Sequence, residues 1–382
     1  MNILSRIRNK VIRDLVERYL WRRGVKNNYI RQVTTASLIK DWMNCKRPIK
    51  EKIWAVKRGF YPNRMDLWGL NESNYKRYIS DIDYLTLFPL NNRFQIWLDD
   101  KITTRYVLQD SRYKDFMPRY YIYIEKDGTF SYMMDFNEHI SKDADSLLNL
   151  LKQEKILAMK PLAGSLGKGF IRLELRGNDI YANNKLLTLE EFAEMKSTLK
   201  SYIVTEYCHQ HNQFNRVWPD SECTLRIILG RIKNKYGGGE IKAILSYARF
   251  GSSLSSTTSN MSQGGLGVTF DFETGVLGDV FYRKKQFEKD GQTIHEVHPD
   301  THVRVAGEKL PNWDIVKKGL YDIVDYFSTL EYFGFDVIIT DNGFKICEIN
   351  SLPGLDIEQI MFGPILDNEV ARSYYTHKMQ QA

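Results

Sequence analysis

Long apolar runs are missing from this chain: nowhere do about eighteen consecutive hydrophobic residues occur, so no segment is suited to cross a bilayer as a helix. The N-terminus also lacks the compact apolar stretch and small-residue cleavage site of a secretory signal. Cysteine is scarce. Cys45, Cys208, Cys223 and Cys347 are widely spaced and form no CxxC pair, which argues against a disulfide framework or a thiolate metal site. A reducing, cytoplasmic setting is expected. Neither an internal repeat nor a low-complexity linker interrupts the 382 residues, and the hydrophobic fraction of 43% is ordinary for a globular protein with two or three lobes.

What is present is segregated charge. The net charge is +7, yet Met1 to Arg64 alone holds seventeen Lys/Arg against four Asp/Glu, so the remainder is net acidic. Within residues 1–23, Ile3, Ile7, Val11, Leu15 and Tyr19 recur at steps of four, with Arg6, Arg13, Arg18, Arg22 and Arg23 mostly elsewhere on the wheel. This is the pattern of a basic amphipathic helix. Two readings stand: a helix lying on an anionic membrane face, which adds a peripheral position at the inner face to the cytoplasmic one, or a helix packed on the body with a solvated basic side. Nucleic acid is not expected as a partner, because no recognised binding motif or dense aromatic interleaving accompanies the charge.

Residues 1–95 are read as a basic, mainly helical region. From about residue 118 short β-rich runs take over at 120–124, 155–162 and 201–207, with a helix expected at 189–200; further strands follow at 224–229, 240–250 and 333–340. The last of these pairs through Asp341-Asn342-Gly343 with 344–349, a short polar turn between two apolar runs that predicts a hairpin.

Two places carry chemistry. Lys160 ends a strand and enters a glycine-rich turn, Gly164-Ser165-Leu166-Gly167-Lys168-Gly169, before a second strand. Glycines let backbone N–H groups approach phosphate oxygens and Ser165 adds a hydroxyl donor. The turn is no Walker A loop, since Leu162 and Gly169 stand where that motif requires Gly and Ser/Thr, and a strand rather than a helix follows. The second place is the late hairpin, where Glu348 and Asn350 share one face and Asp336 lies roughly opposite. Three oxygen donors on one patch suit Mg²⁺ held through carboxylates and nucleotide phosphates. By strict alternation Cys347 points to the opposite face and fills core. His295, His298 and His302 have the spacing of a structural turn in a Pro-containing loop.

Together these segments resemble the ATP-grasp superfamily, in chain order and over about residues 95–360. Leu98-Asp99-Asp100-Lys101-Ile102 is similar to the Asp-Lys-Leu element of D-alanine:D-alanine ligases, and Glu348-Ile349-Asn350-Ser351-Leu352-Pro353-Gly354 closely resembles their Glu-Ile-Asn-Thr-Leu-Pro-Gly. The resemblance implies an α+β ATP-grasp fold, two lobes clasping ATP, divided into residues 1–95, 96–205 and 206–382. It also implies ATP contacts at Lys101, Lys160, Gly164, Ser165, Gly167, Gly169, Glu206 and Tyr207, and metal ligation of two Mg²⁺ ions by Asp336, Glu348 and Asn350. His211 sits where relatives place an acidic ribose contact. Arg226, Arg249 and Asn260 with Gly264-Gly265 look like the series in glutamate ligases that modify ribosomal protein tails. D-alanine ligases have an arginine beside the first metal aspartate; here Gly334-Phe335 precedes Asp336, so Arg226 or Arg249 has to supply that charge. Finer texture, His209-Gln210-His211, Thr224-Leu225-Arg226 and His298-Pro299-Asp300-Thr301, is similar to sugar-transfer-associated ATP-grasp proteins.

The implied activity is ATP-dependent ligation of a carboxylate, small or glycan-linked, to an amine through an acyl phosphate, in cell-surface polysaccharide assembly. Arg226 and Arg249 would stabilise the transferring phosphoryl group, and Ser351 and Gly354 would position a substrate carboxylate. Two other functions compete: phosphotransfer to a hydroxyl, and a non-catalytic nucleotide-binding scaffold.

Overall fold

The computed structural model describes residues 3–109, 112–163, 167–233, 239–255, 257–288 and 293–381, and side chains from Asn9 to Gln380. Gly164, Ser165 and Leu166, and the side chains of Ile3, Arg6 and Ile7, lie outside the described residues.

Two antiparallel seven-stranded sheets form the body. The first holds β1 (Tyr120–Ile124), β2 (Phe130–Tyr132), β3 (Ile156–Pro161), β4 (Ile171–Arg176), β5 (Asp179–Ala182), β6 (Lys185–Leu187) and β7 (Tyr202–Glu206), in the order β2-β1-β7-β3-β4-β5-β6. Leu147, Leu150 and Leu151 of the helix Ser146–Glu154, and Phe192 of the helix Leu189–Thr198, are buried with it. The latter helix starts where Thr188 and Glu191 cap each other's backbone N–H groups, a reciprocal box that fixes the first turn.

The second sheet contains β8 (Thr224–Lys233), β9 (Gly239–Phe250), β10 (Leu266–Thr269), β11 (Phe281–Tyr282), β12 (Ile294–His295), β13 (Tyr332–Thr340) and β14 (Gly343–Asn350), ordered β12-β11-β10-β9-β8-β13-β14. The helix Trp313–Tyr326 buries Val316, Leu320, Ile323 and Val324 against one face, a helical stripe worth roughly 1.5–3 kcal/mol per side chain. It approaches so closely at Gly319 that an added Cβ would lie 2.4 Å from the Phe344 ring. The C-terminal helix Glu369–Gln381 covers the other core cluster with Ala371, Tyr374 and Tyr375.

The expected hairpin forms as β13 and β14, but its register shifts. Asp336 faces Glu348, while the next residue, Val337, faces Ile346. Cys347 is therefore the extra residue of a bulge, and this corrects its expected orientation: Cys347 lines the same cleft as Glu348.

The N-terminal quarter is helical where expected, with Ile3–Arg22, Asn28–Asn44 and Ile49–Lys57. It docks on the segment that follows β14. Gln359 exchanges two hydrogen bonds with the Ile79 backbone at 2.9 and 3.0 Å, Trp68 donates to the Asp356 carbonyl at 3.2 Å, and the Tyr84 hydroxyl donates to the Pro353 carbonyl. The first helix packs inward through Val16, Tyr19 and Leu20 and leaves Val11 and Leu15 exposed. Tyr19 thus parts from the predicted apolar stripe.

Candidate active site

A cleft of about 340 Å³ lies between the two sheets. Lys160 enters it from the end of β3, Glu206 and Tyr207 from the end of β7, Arg226 from β8, Arg249 from β9, and Asp336, Glu348 and Asn350 from the hairpin. Lys101, Gly167, Asn260 and Gly354 complete the predicted residues found along its wall.

Asp336 is the most enclosed of the acids. Arg226 donates to both its oxygens, Nε to Oδ1 at 2.6 Å and Nη2 to Oδ2 at 3.2 Å, and Arg249 Nη2 lies 3.0 Å from Oδ1. Burial alone would push the Asp336 carboxyl up, but the two guanidinium groups outweigh it and hold it below the ordinary carboxylate range. Both arginines thus supply the charge that Gly334-Phe335 lacks. Opposite Asp336 on β14, Glu348 has the Lys101 ammonium 3.6 Å away. Asn350 turns its amide N–H towards the Gly334 carbonyl, at 3.5 Å, so its amide oxygen is the end directed elsewhere. Two carboxylates and an amide oxygen from adjacent strands are a donor set that fits a hard divalent cation.

Lys101 is placed by a local device. Asp100 caps the helix Lys101–Val107 by accepting from the Thr103 N–H at 2.7 Å, which sets the lysine at the first helical position. The preceding Asp99 accepts from the Ser351 amide at 2.8 Å and the Ser351 hydroxyl at 2.6 Å. Ser351 is 3% exposed, and its hydroxyl proton is spent on Asp99. The expectation that this hydroxyl positions a substrate is corrected accordingly: it fixes the turn instead.

At the other end, Glu206 Oε2 accepts from the Arg119 backbone N–H at 3.0 Å and has Arg119 Nε and Lys345 Nζ each at 3.6 Å. His211 lies outside the cleft wall. Its Nδ1 accepts from the Gln213 N–H, capping a short helix, and its Nε2 stands 3.8 Å from Asp341. The carboxylate that does line the cleft beside Tyr207 is Glu222, which sequence reasoning missed. Burial pushes its carboxyl up, against hydrogen bonds from Tyr207 and the Gln210 N–H. Its position in the loop before β8 gives no periodic signal; a lone acid between Ser221 and Cys223 is all the sequence offers.

The glycines divide. Gly167 has φ +70° and stands against the loop after β9, where an added Cβ would meet Thr258 and Gln263 side chains at 3.2–3.4 Å. Gly169 is closed off by the Tyr202 hydroxyl, which donates to its carbonyl at 3.0 Å. Gly264, at φ +104°, and Gly265 pack inside the loop on Leu254 and Ser259, so they let the loop close and leave Asn260 as the member on the cleft wall. His298 is buried; its Nε2 bonds the Gly251 carbonyl and its Nδ1 accepts from the Asp300 and Thr301 amides, the structural turn expected. Cys208 and Cys347 both line the cleft wall, and neither is in a disulfide.

A family model described as sugar-transfer associated ATP-grasp matches residues 83–373. The α+β, ATP-grasp expectation stands with it. Among solved structures, N5-carboxyaminoimidazole ribonucleotide synthetase from Thermotoga maritima aligns at 11% identity and a TM-score of 0.33, covering 68% of this chain and 43% of that one. The Staphylococcus aureus synthetase complexed with ADP aligns at 10% and 0.37, covering 75% and 52%. D-alanine–D-alanine ligase from Bacillus anthracis aligns at 15% and 0.34, covering 76% and 71%. The chain thus spans about half the length of the synthetases it matches. No curated protein matches it.

Proposed function

We propose that this chain, which belongs to the sugar-transfer-associated ATP-grasp family, is an ATP- and Mg²⁺-dependent ligase that activates a carboxylate as an acyl phosphate and joins it to an amine. The observation that carries the reading is convergence: Lys101, Lys160, Asp336, Glu348 and Asn350, from four separate stretches of chain, line one cleft between the sheets.

In this reading Asp336, Glu348 and Asn350 hold the metal, in one or two ions, which when bound neutralises charge on the transferring phosphoryl group. Lys101 and Lys160 bind the nucleotide phosphates. Glu206 and Tyr207 take the base, and Glu222 faces the sugar. The glycine-rich turn, whose Gly167 stands against Thr258 and Gln263, excludes water while the acyl phosphate waits for the amine. Arg226 and Arg249 remain within reach of the growing negative charge because Asp336 fixes their guanidinium planes. Gly354 leaves room beside them for the carboxylate.

The association with sugar transfer in the family's description favours a place in polysaccharide assembly, and the substrate in this reading is a small or glycan-linked carboxylate. The division into a basic helical region (1–95), a flap lobe (96–205) and a metal lobe (206–382) belongs to the same reading. So does a cytoplasmic enzyme resting on an anionic membrane through its first helix; none of the described helices is long and apolar enough to cross one.

The test is ADP release by the purified full chain against amino acids and sugar acids, singly and in pairs, with mass spectrometry of the product. ADP release that needs both a carboxylate and an amine, and that Glu348→Gln lowers by at least a hundredfold, is expected. Release with a hydroxyl acceptor and no amide product would replace ligation by phosphotransfer.

A further inference from the structure

The chemistry of the second sheet continues beyond the cleft. Glu348, Asp336, Arg226 and Tyr247 are successive register partners on β14, β13, β8 and β9. Cross-strand partners share a sheet face, so these side chains form one row at steps of about 4.8 Å. The first three line the cleft. The fourth, Tyr247, is buried and donates its hydroxyl to Glu358 Oε1 at 2.8 Å.

Glu358 comes from the segment that has just supplied Asn350 and Gly354 to the cleft, at the start of the short helix Glu358–Met361. It is 2% exposed, and its Oε2 has no hydrogen-bond partner among the described residues. An enclosed, unpartnered oxygen is costly on an anion and far less so on a protonated carboxyl. The charged and titratable groups facing it are Tyr247 from β9, Arg226 from β8, Asp356 from its own segment, Tyr84 from the N-terminal region and Tyr375 from the last helix. Arg226 is the one cation among them, and its guanidinium already serves Asp336.

We propose that Glu358 is a positioning residue for the carboxylate substrate: it takes up a proton on Oε2 when an anion settles on Arg226 and Arg249, so that donor binding and protonation of Glu358 are one event. The proposal rests on the reading that the cleft accepts a carboxylate. The charge count gives the reason. Arg226 and Arg249 carry two positive charges against one on Asp336; with Glu358 neutral the cluster keeps a surplus positive charge for the incoming anion, and with Glu358 ionised it keeps none. The proton comes from solvent, and no covalent bond other than O–H changes. Burial pushes the Glu358 carboxyl up to about 7, with Asp356 adding to it and Arg226 opposing. An anion on Arg226 cancels that opposition and favours the protonated form further.

Acetate is the probe, titrated into the full chain between pH 6 and 8.5 with proton uptake read by an indicator dye. Acetate affinity in the native protein is expected to fall as pH rises above about 7, steepening towards about tenfold per pH unit as the uptake per acetate bound rises from a fraction of a proton towards one. Glu358→Gln, fixed neutral, binds acetate equally at both ends of the range and takes up none. Tyr247→Phe removes a donor that favours the ionised form, and moves the fall to higher pH. A native affinity that is flat with pH, or a fall that survives in Glu358→Gln, overturns this proposal while leaving the carboxylate site intact. Absence of acetate binding by the native protein at every pH overturns the carboxylate reading together with it. Tyr247→Phe and the native profile decide the matter if Glu358→Gln fails to fold.

Discussion

Ser351 gives its amide and its hydroxyl to the two carboxylate oxygens of Asp99, at 2.8 and 2.6 Å, and so fastens the turn after the metal strand to the segment that presents Lys101. Ser351 is 3% exposed, while Asp99 meets it from the solvent side. Hydrogen bonds to a charged acceptor are worth about 1.5–3 kcal/mol each, and a buried donor left without its partner costs a similar amount.

Because water can reach the Asp99 side of the pair, Asp99→Ala is expected to destabilise the fold by about 1–2 kcal/mol. Because Asp99 also sets the approach of Lys101 to Glu348, 3.6 Å apart, ADP release should fall more than the stability loss alone explains. Urea unfolding gives the first quantity and turnover of the folded fraction the second. Asp99→Asn keeps one acceptor and should recover part of both. Wild-type turnover in a folded Asp99→Ala variant would show that the turn holds itself.

Glu358 and Asp336 are both buried acids, and their contributions to stability run oppositely with pH. Asp336 is held below its ordinary range, so what it contributes is present above its unfolded value and lost as pH falls through its folded one. Glu358 is raised from 4.5 to about 7, so between those values the folded protein binds the extra proton and stability falls as pH rises. The loss is on the order of 3 kcal/mol, complete by about pH 8. Glu358→Gln should raise the Tm at pH 8 by several degrees and change it little at pH 4.5, read by thermal unfolding at each pH. An equal effect at both would mean that Glu358 does not titrate in this range.

The hairpin, its polar turn and the facing of Asp336 with Glu348 were legible because alternation and a short Asp-Asn-Gly turn are local signals. Cys347 was not, because a one-residue bulge breaks the alternation the reading depends on and nothing in Phe344-Lys345-Ile346-Cys347 marks it. The Ser351–Asp99 tie and the Tyr247–Glu358 pair join residues far apart in sequence, where periodicity says nothing. The docking of the first ninety residues on the segment after β14 was hidden for another reason. Its helices carry apolar side chains on more than one face, so that no single stripe names the buried side.

That mixture is clearest in the first helix. Leu20 is fully buried, whereas Val11 and Leu15 are 51% and 58% exposed, and with Arg18 and Arg22 they follow one another at helical spacing along the outward side. Exposed aliphatic groups flanked by guanidinium groups match an interfacial surface, the apolar part entering the acyl boundary and the cations meeting anionic headgroups. Each basic residue near such a surface contributes about 1 kcal/mol, so Arg18→Glu with Arg22→Glu should weaken co-sedimentation with vesicles containing anionic lipid by at least tenfold. Val11→Ser with Leu15→Ser should weaken it even at low salt, where charge alone would still act. ADP release should be unchanged in both, since neither pair touches the cleft. Equal sedimentation of all three proteins would assign the outward side of this helix to solvent.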